Sequence, residues 1–135
     1  MDVANKIKIL TQNFHQKKFN SVIKECKKII KIETNNSFIY NLCGLALQNI
    51  GQISKSLDYF KSAIRINANN LSAKNNIANS YKNLDELDLA EKFYLEALKI
   101  NPLYFESLFN YGNLKFELNK IIEAIELYKK ALIID

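Results

Sequence analysis

The sequence predicts an all-α chain of four antiparallel helix pairs, and three observations carry that expectation. The chain of 135 residues matches itself at an offset of 34. Within each copy, apolar residues recur three and four positions apart, the spacing of an amphipathic helix. Three glycines and one proline leave few points at which a helix must break. With 48% hydrophobic residues, the length suffices for a continuous core.

The four copies span Val3–Asn36, Ser37–Asn70, Leu71–Tyr104 and Phe105–Asp135. Each is expected to hold two helices joined by a short polar turn, at Lys17-Lys18, Gly51-Gln52, Asp85-Glu86 and Asn119-Lys120. On the first helices, Gly44, Ala78 and Gly112 share one register position; on the second helices, Ser56, Ala90 and Ala124 do. Small residues there let paired helices approach, and Gly112 is expected to meet its partner helix near Ala124. Tyr59/Phe60, Phe93/Tyr94 and Leu127/Tyr128 fill the space beyond. Pro102 falls where a helix should stop. The first copy departs most, with Leu10 for the small residue, Val22 for the alanine and Cys26 for the aromatic. Cys26 and Cys43 are read as small core residues, without a disulfide.

These residues resemble the tetratricopeptide repeat family over essentially the whole chain. The resemblance implies a right-handed α-solenoid of four antiparallel helix pairs, whose first helices line a concave groove. It implies one domain over 3–135, with repeats at 3–36 (degenerate), 37–70, 71–104 and 105–135 (truncated and uncapped). Such arrays usually finish in a polar capping helix. The chain is therefore expected to be the N-terminal part of a longer protein.

Net charge is +5, concentrated in Val3–Asn36, where eight lysines face Glu25 and Glu33. A lysine run of this kind is more often a solvated face than a docking site. Nucleic-acid binding is not expected: there is a single arginine, and the aromatics sit at packing positions. No apolar run approaches the length of a membrane span. The lack of a signal-peptide core and the low cysteine count suggest a cytoplasmic setting. The sole histidine, His15, has no ligand-spaced partner, so neither metal nor cofactor is expected. No nucleophile elbow, phosphate-binding loop or paired carboxylates occur, so no enzyme activity is expected.

What needs explaining is asparagine. There are 18, alongside 18 lysines and 18 isoleucines, as an AT-rich genome would produce. Yet Asn76 and Asn110 recur at one position of the first helices, and Asn79 and Asn113 at another. By the family pattern these positions face the groove. An amide offers a donor and an acceptor together, matching a peptide bond. The arrangement is similar to the asparagine ladder of the O-linked N-acetylglucosamine transferase repeat arms, although Lys8 and Leu42 interrupt it. The resemblance thus implies a non-catalytic module that binds a peptide or partner segment at Asn41, Leu42, Leu45, Asn75, Asn76, Asn79, Asn83, Phe109, Asn110 and Asn113. The rival family mode, a carboxylate clamp for acidic chaperone tails, needs cations. Its places hold Ile7, Thr11, Leu42, Ser72 and Asn76, or Asn41, Leu45, Asn76, Glu106 and Asn110, so chaperone-tail binding is not expected. Two alternatives stand beside the groove reading. One is homotypic assembly through the uncapped last helix at Ile122, Leu132 and Ile133. The other is an acceptor-recruiting arm of a larger bacterial glycosyl- or sulfotransferase.

Overall fold

The structure, a computed structural model, describes residues 2–134. Within them lie eight helices: α1 (Val3–His15), α2 (Phe19–Ile32), α3 (Ser37–Asn49), α4 (Ile53–Ile66), α5 (Leu71–Asn83), α6 (Leu87–Ile100), α7 (Phe105–Glu117) and α8 (Ile121–Ile134). Odd-numbered helices start 34 residues apart, and so do even-numbered ones. The periodicity of the sequence is therefore the periodicity of the backbone.

Local chemistry sets these boundaries. The residue before each of the first three odd helices is Asp2, Asn36 or Asn70, and its side chain accepts a backbone N–H three residues on, from Asn5, Ile39 or Ala73. Each bond satisfies one of the donors that a helix start leaves unpaired. The fourth such residue, Tyr104, caps without a side-chain bond. Each intra-repeat turn contains one left-handed residue: Lys17, Gly51, Asp85 or Asn119, with φ of 60°, 84°, 62° and 61°. Only glycine takes that conformation freely. The turns between repeats use asparagine differently. The side chains of Asn67 and Asn101 accept the backbone N–H of Asn69 and Leu103, folding the chain back on itself.

The chain forms two compact units, Met1–Ala73 and Lys74–Asp135. In the first, Leu10, Val22, Cys26, Ile39, Cys43 and Leu47 belong to one buried cluster. A Cβ on Gly44 would lie 2.5 Å from the Phe60 ring, so the small residue there admits the aromatic of the paired helix. The first repeat reverses this pair: Leu10 stands in the place of Gly44 and Cys26 in the place of Phe60, and both are buried. A large residue on the first helix is matched by a small one on the second. The departure that weakens the repeat pattern thus preserves the volume of the contact.

In the second unit, Tyr94, Tyr111, Ala78, Ala90 and Leu114 form the core. Gly112 faces the paired helix α8, and the atoms nearest to where its Cβ would stand belong to the Tyr128 ring, at 2.7 Å, one helical turn beyond Ala124. The ring at position 128 occupies the space the glycine vacates.

Candidate functional site: an amide face on the first helices

The asparagines on and beside α3, α5 and α7 include two groups. The first group is used within the chain. Asn41 is buried, and its amide nitrogen donates to the Ser72 hydroxyl at 3.1 Å. Asn75 is buried, and its carbonyl oxygen accepts from both Ser107 (3.1 Å) and the Asn110 amide (3.2 Å). Asn76 is buried as well. Asn70, besides capping α5, donates to Ser37 at 2.7 Å. Amides at these places join the first helix of one repeat to the first helix of the next. Leaving such a buried group unpaired costs about 1–3 kcal/mol, which ties each asparagine to its partner.

The second group, Asn79 and Asn113, is only half-buried. Each side-chain oxygen accepts the hydroxyl proton of a tyrosine fifteen residues on, Tyr94 for Asn79 and Tyr128 for Asn113, the latter at 2.6 Å. Burial pushes both phenols above their usual range, so they stay protonated and donating. The consequence is directional. With its oxygen taken, each amide turns its nitrogen away from the tyrosine, and that nitrogen has no partner among the described residues. Both positions are therefore fixed as donors. They suit a ligand rich in acceptors, such as backbone carbonyls.

Beside Asn113 lies a cleft of about 380 Å³ lined by Phe105, Phe109, Tyr128, Ala131 and Leu132. The rings of Phe105 and Phe109 stack with centroids 6.0 Å apart, and Phe109 leans on Tyr128 at the same separation. Phe109 is 45% exposed. Of the other residues singled out from the sequence, Asn83 is exposed, Asn110 and Leu45 are half-buried, and Leu42 is buried. On α8, Ile122, Leu132 and Ile133 are 76%, 74% and 84% exposed.

Two features were missed in the sequence. The tyrosine–asparagine clips carry a signal in the repeats themselves: Tyr94 and Tyr128 accompany Asn79 and Asn113, whereas Phe60, without a hydroxyl, accompanies Leu45. The other is Lys115, which is buried although its repeat equivalents are Tyr81 and Leu47. Its ammonium pairs with Glu91 of α6 at 3.0 Å and Glu123 of α8 at 2.8 Å, and sits 5.2 Å from the centre of the Tyr111 ring. A charge at an apolar repeat position was the available clue.

Among the described residues, no group of three or more His, Cys, Asp or Glu side chains could hold a metal ion. No helix there is long and apolar enough to cross a membrane.

Solved structures of similar fold include MamA, with a TM-score of 0.84 and 23% identity over 97% of this chain and 77% of that one. A second is YrrB, described as a TPR protein with an unusual peptide-binding site, with a TM-score of 0.78 and 18% identity over 96% of this chain and 67% of that one. A third is the second TPR of Spaghetti (RPAP3) bound to the HSP90 peptide SRMEEVD, with a TM-score of 0.69 and 17% identity over 76% of this chain and 96% of that one. These likenesses establish the all-α solenoid fold. No curated protein matches the chain in sequence. Tetratricopeptide repeat family models match residues 39–70, 71–102 and 93–126, and the chain belongs to the tetratricopeptide repeat family.

Proposed function

We propose that this chain is a non-catalytic protein-interaction module that holds an extended peptide against the first helices of its second unit. The observation that carries this reading is the pair of clipped amides, Asn79 and Asn113, each with its donor turned outward. Asn83 and Phe109 lie on the same two helices and are exposed. Backbone carbonyls of the peptide accept from the amides, and an apolar side chain enters the cleft beside Phe109. The buried amides Asn41, Asn75 and Asn76 and the buried Leu42 support the scaffold that presents this face. Peptide binding by proteins of similar fold supports the reading. The places for a carboxylate clamp hold no cation, so an acidic C-terminal tail is not the ligand class favoured here.

Two neutral hydrogen bonds contribute about 0.5–1.5 kcal/mol each. Ordering both partners costs several times that. Binding is therefore weak, on the order of micromolar or poorer. The test begins with a random-peptide display selection on the full chain. Selected peptides are then measured against Asn79→Leu with Asn113→Leu by calorimetry. The expected loss is roughly tenfold or more with unchanged helical circular dichroism. An unchanged affinity would sink the reading.

A second reading rests on α8. Its exposed Ile122, Leu132 and Ile133 favour self-association, since burying each stabilises by about 1.5–3 kcal/mol.

A further inference from the structure

In the second unit, α7 is seated on its predecessors through a fixed set of repeat positions. Tyr111 of α7 stacks on Tyr94 of α6, with ring centroids 5.7 Å apart. Ser107 and Asn110 of α7 both donate to Asn75 of α5. Leu98 of α6 packs against the cluster that holds Tyr111. One repeat later, the places of Asn75, Tyr94 and Leu98 are taken by Phe109, Tyr128 and Leu132, which line the cleft of about 380 Å³. Leu132 is 74% exposed. The cleft therefore has the form of a seat for one more first helix.

The complementary face is bare at the other end of the repeats. Ile9 of α1 shares its register position with Cys43, Ile77 and Tyr111. Those three are buried, whereas Ile9 is 41% exposed. A hollow of about 300 Å³ lies beside it, and its lining includes Ile9 and Asn13. These two stand in the places of Tyr111 and Lys115, the residues through which α7 touches α6.

We infer that copies of this chain join head to tail, with the α1 face of one seated in the α7–α8 cleft of another, as α7 is seated on α5 and α6. The inference rests on the self-association read from α8 and names its partner surface.

The substitutions at the two ends fit one another. Inside the chain, the Asn75 amide is met by the polar side chains of Ser107 and Asn110. At the join, Phe109 stands for Asn75, and Asn5 and Lys8 stand for Ser107 and Asn110. A ring needs no hydrogen bond, and a lysine can lay its stem along it with the ammonium over the face. Inside the chain, Lys115 pairs with Glu91. At the join, Asn13 stands for the lysine and Ile125, 45% exposed, for the glutamate. Both charges are exchanged together, so no buried ion is left unpaired. Net charge favours unlike ends. The first repeat has eight lysines against two glutamates, so two first repeats repel each other, whereas the last repeat has one more acidic residue than basic. The two faces are different surfaces, so each added copy leaves one of each kind open unless a ring closes. A copy seated in the cleft also excludes the peptide side chain proposed for it.

The experiment is sedimentation velocity on the chain and on two variants, Ile9→Glu on α1 and Leu132→Glu on α8, each checked for native helicity by circular dichroism. The wild-type mass is expected to grow with concentration. Each variant alone is expected to stay monomeric, because one of its two faces is closed. An equimolar mixture of the two is expected to give a dimer and nothing larger, through the intact α8 of one variant and the intact α1 of the other. If a variant loses helicity, Lys8→Glu replaces Ile9→Glu, or Ile125→Glu replaces Leu132→Glu, in the same single and mixed samples. An α1 variant that associates as wild type does would overturn the inference and leave self-association through α8 standing. A mixture that stays monomeric would overturn the inference as well. A wild-type chain that is monomeric at every concentration would overturn both readings.

Discussion

The contact of Gly44 with Phe60 offers a test of the packing account. A methyl group placed on Gly44 would sit 2.5 Å from one Phe60 ring carbon and 2.6 Å from the next. Non-bonded carbons prefer about 3.5–4.0 Å, so the ring would have to retreat by about 1 Å. Phe60 is fully buried, and any retreat pushes on packed neighbours. Overpacking of this kind costs about 1–3 kcal/mol, and an enclosed ring belongs in the upper half of that range. Replacing a helix-interior glycine by alanine gains about 1 kcal/mol of helix propensity. Gly44→Ala should therefore destabilise by about 1–2 kcal/mol. Gly112→Ala meets the Tyr128 ring at 2.7 Å, but that ring borders the cleft and has room to move. Its net effect should lie within about 0.5 kcal/mol of zero. The chain already carries the alanine form of this contact, Ala78, in the repeat of Tyr94. Urea unfolding followed by circular dichroism should separate the two variants. Adding Phe60→Leu to Gly44→Ala should recover part of the loss, as coupled neighbours do. Equal effects at the two glycines, or a stabilising Gly44→Ala, would refute the reasoning.

Lys17 takes a left-handed conformation that costs a side-chain-bearing residue about 1–2 kcal/mol; Lys17→Gly should raise the urea midpoint, by about 0.5–1 kcal/mol after the entropy cost of glycine. The Lys115 cluster predicts a pH dependence. The hydrogen bond from Lys115 holds Glu123 below the usual carboxylate range, so its contribution is present above the unfolded carboxylate value and fades as pH falls through the folded one. The bond to Glu123, then that to Glu91, raises Lys115 against the opposing effect of burial, so the contribution persists until alkaline pH. Glu123→Gln should flatten the acid limb of stability against pH. Lys115→Met should remove the Lys115-linked dependence at both extremes with little loss near neutrality, because both carboxylates can return to water. Ile122→Lys with Ile133→Lys should abolish any concentration-dependent light scattering while preserving helicity; scattering that persists in the double variant would place the contact elsewhere.

Helix positions were legible because a 34-residue period fixes each boundary several times over, and the caps Asn36 and Asn70 repeat it. The close approach at Gly44 was legible for the same reason. The roles of the asparagines were not. Asn75 and Asn79 differ by one helical turn, yet one bonds to the next first helix and the other to the aromatic of its own pair. Periodicity assigns both to the same broad face, and only the pairing of hydroxyl with amide separates them. Several of these asparagines have a place without either codon bias or a peptide ladder: Asn36 and Asn70 as caps, Asn67 and Asn101 in turns, and Asn41, Asn75 and Asn110 in inter-repeat bonds. Asn79 and Asn113 differ from these in being clipped to a tyrosine through the amide oxygen. The first repeat looked degenerate because each position was compared singly. Leu10 and Cys26 change together, and the exchange of large and small is visible only when the two are read as one contact.

The most direct test of the proposed function is heteronuclear NMR of the side-chain amides during titration with a display-selected peptide. The account predicts that the amide protons of Asn79 and Asn113 shift first and furthest, in the direction of stronger hydrogen bonding. The buried amides of Asn41 and Asn75 should stay nearly still. Peptide saturation with Asn79 and Asn113 unmoved, and shifts confined to α8 or to the second helices, would contradict it.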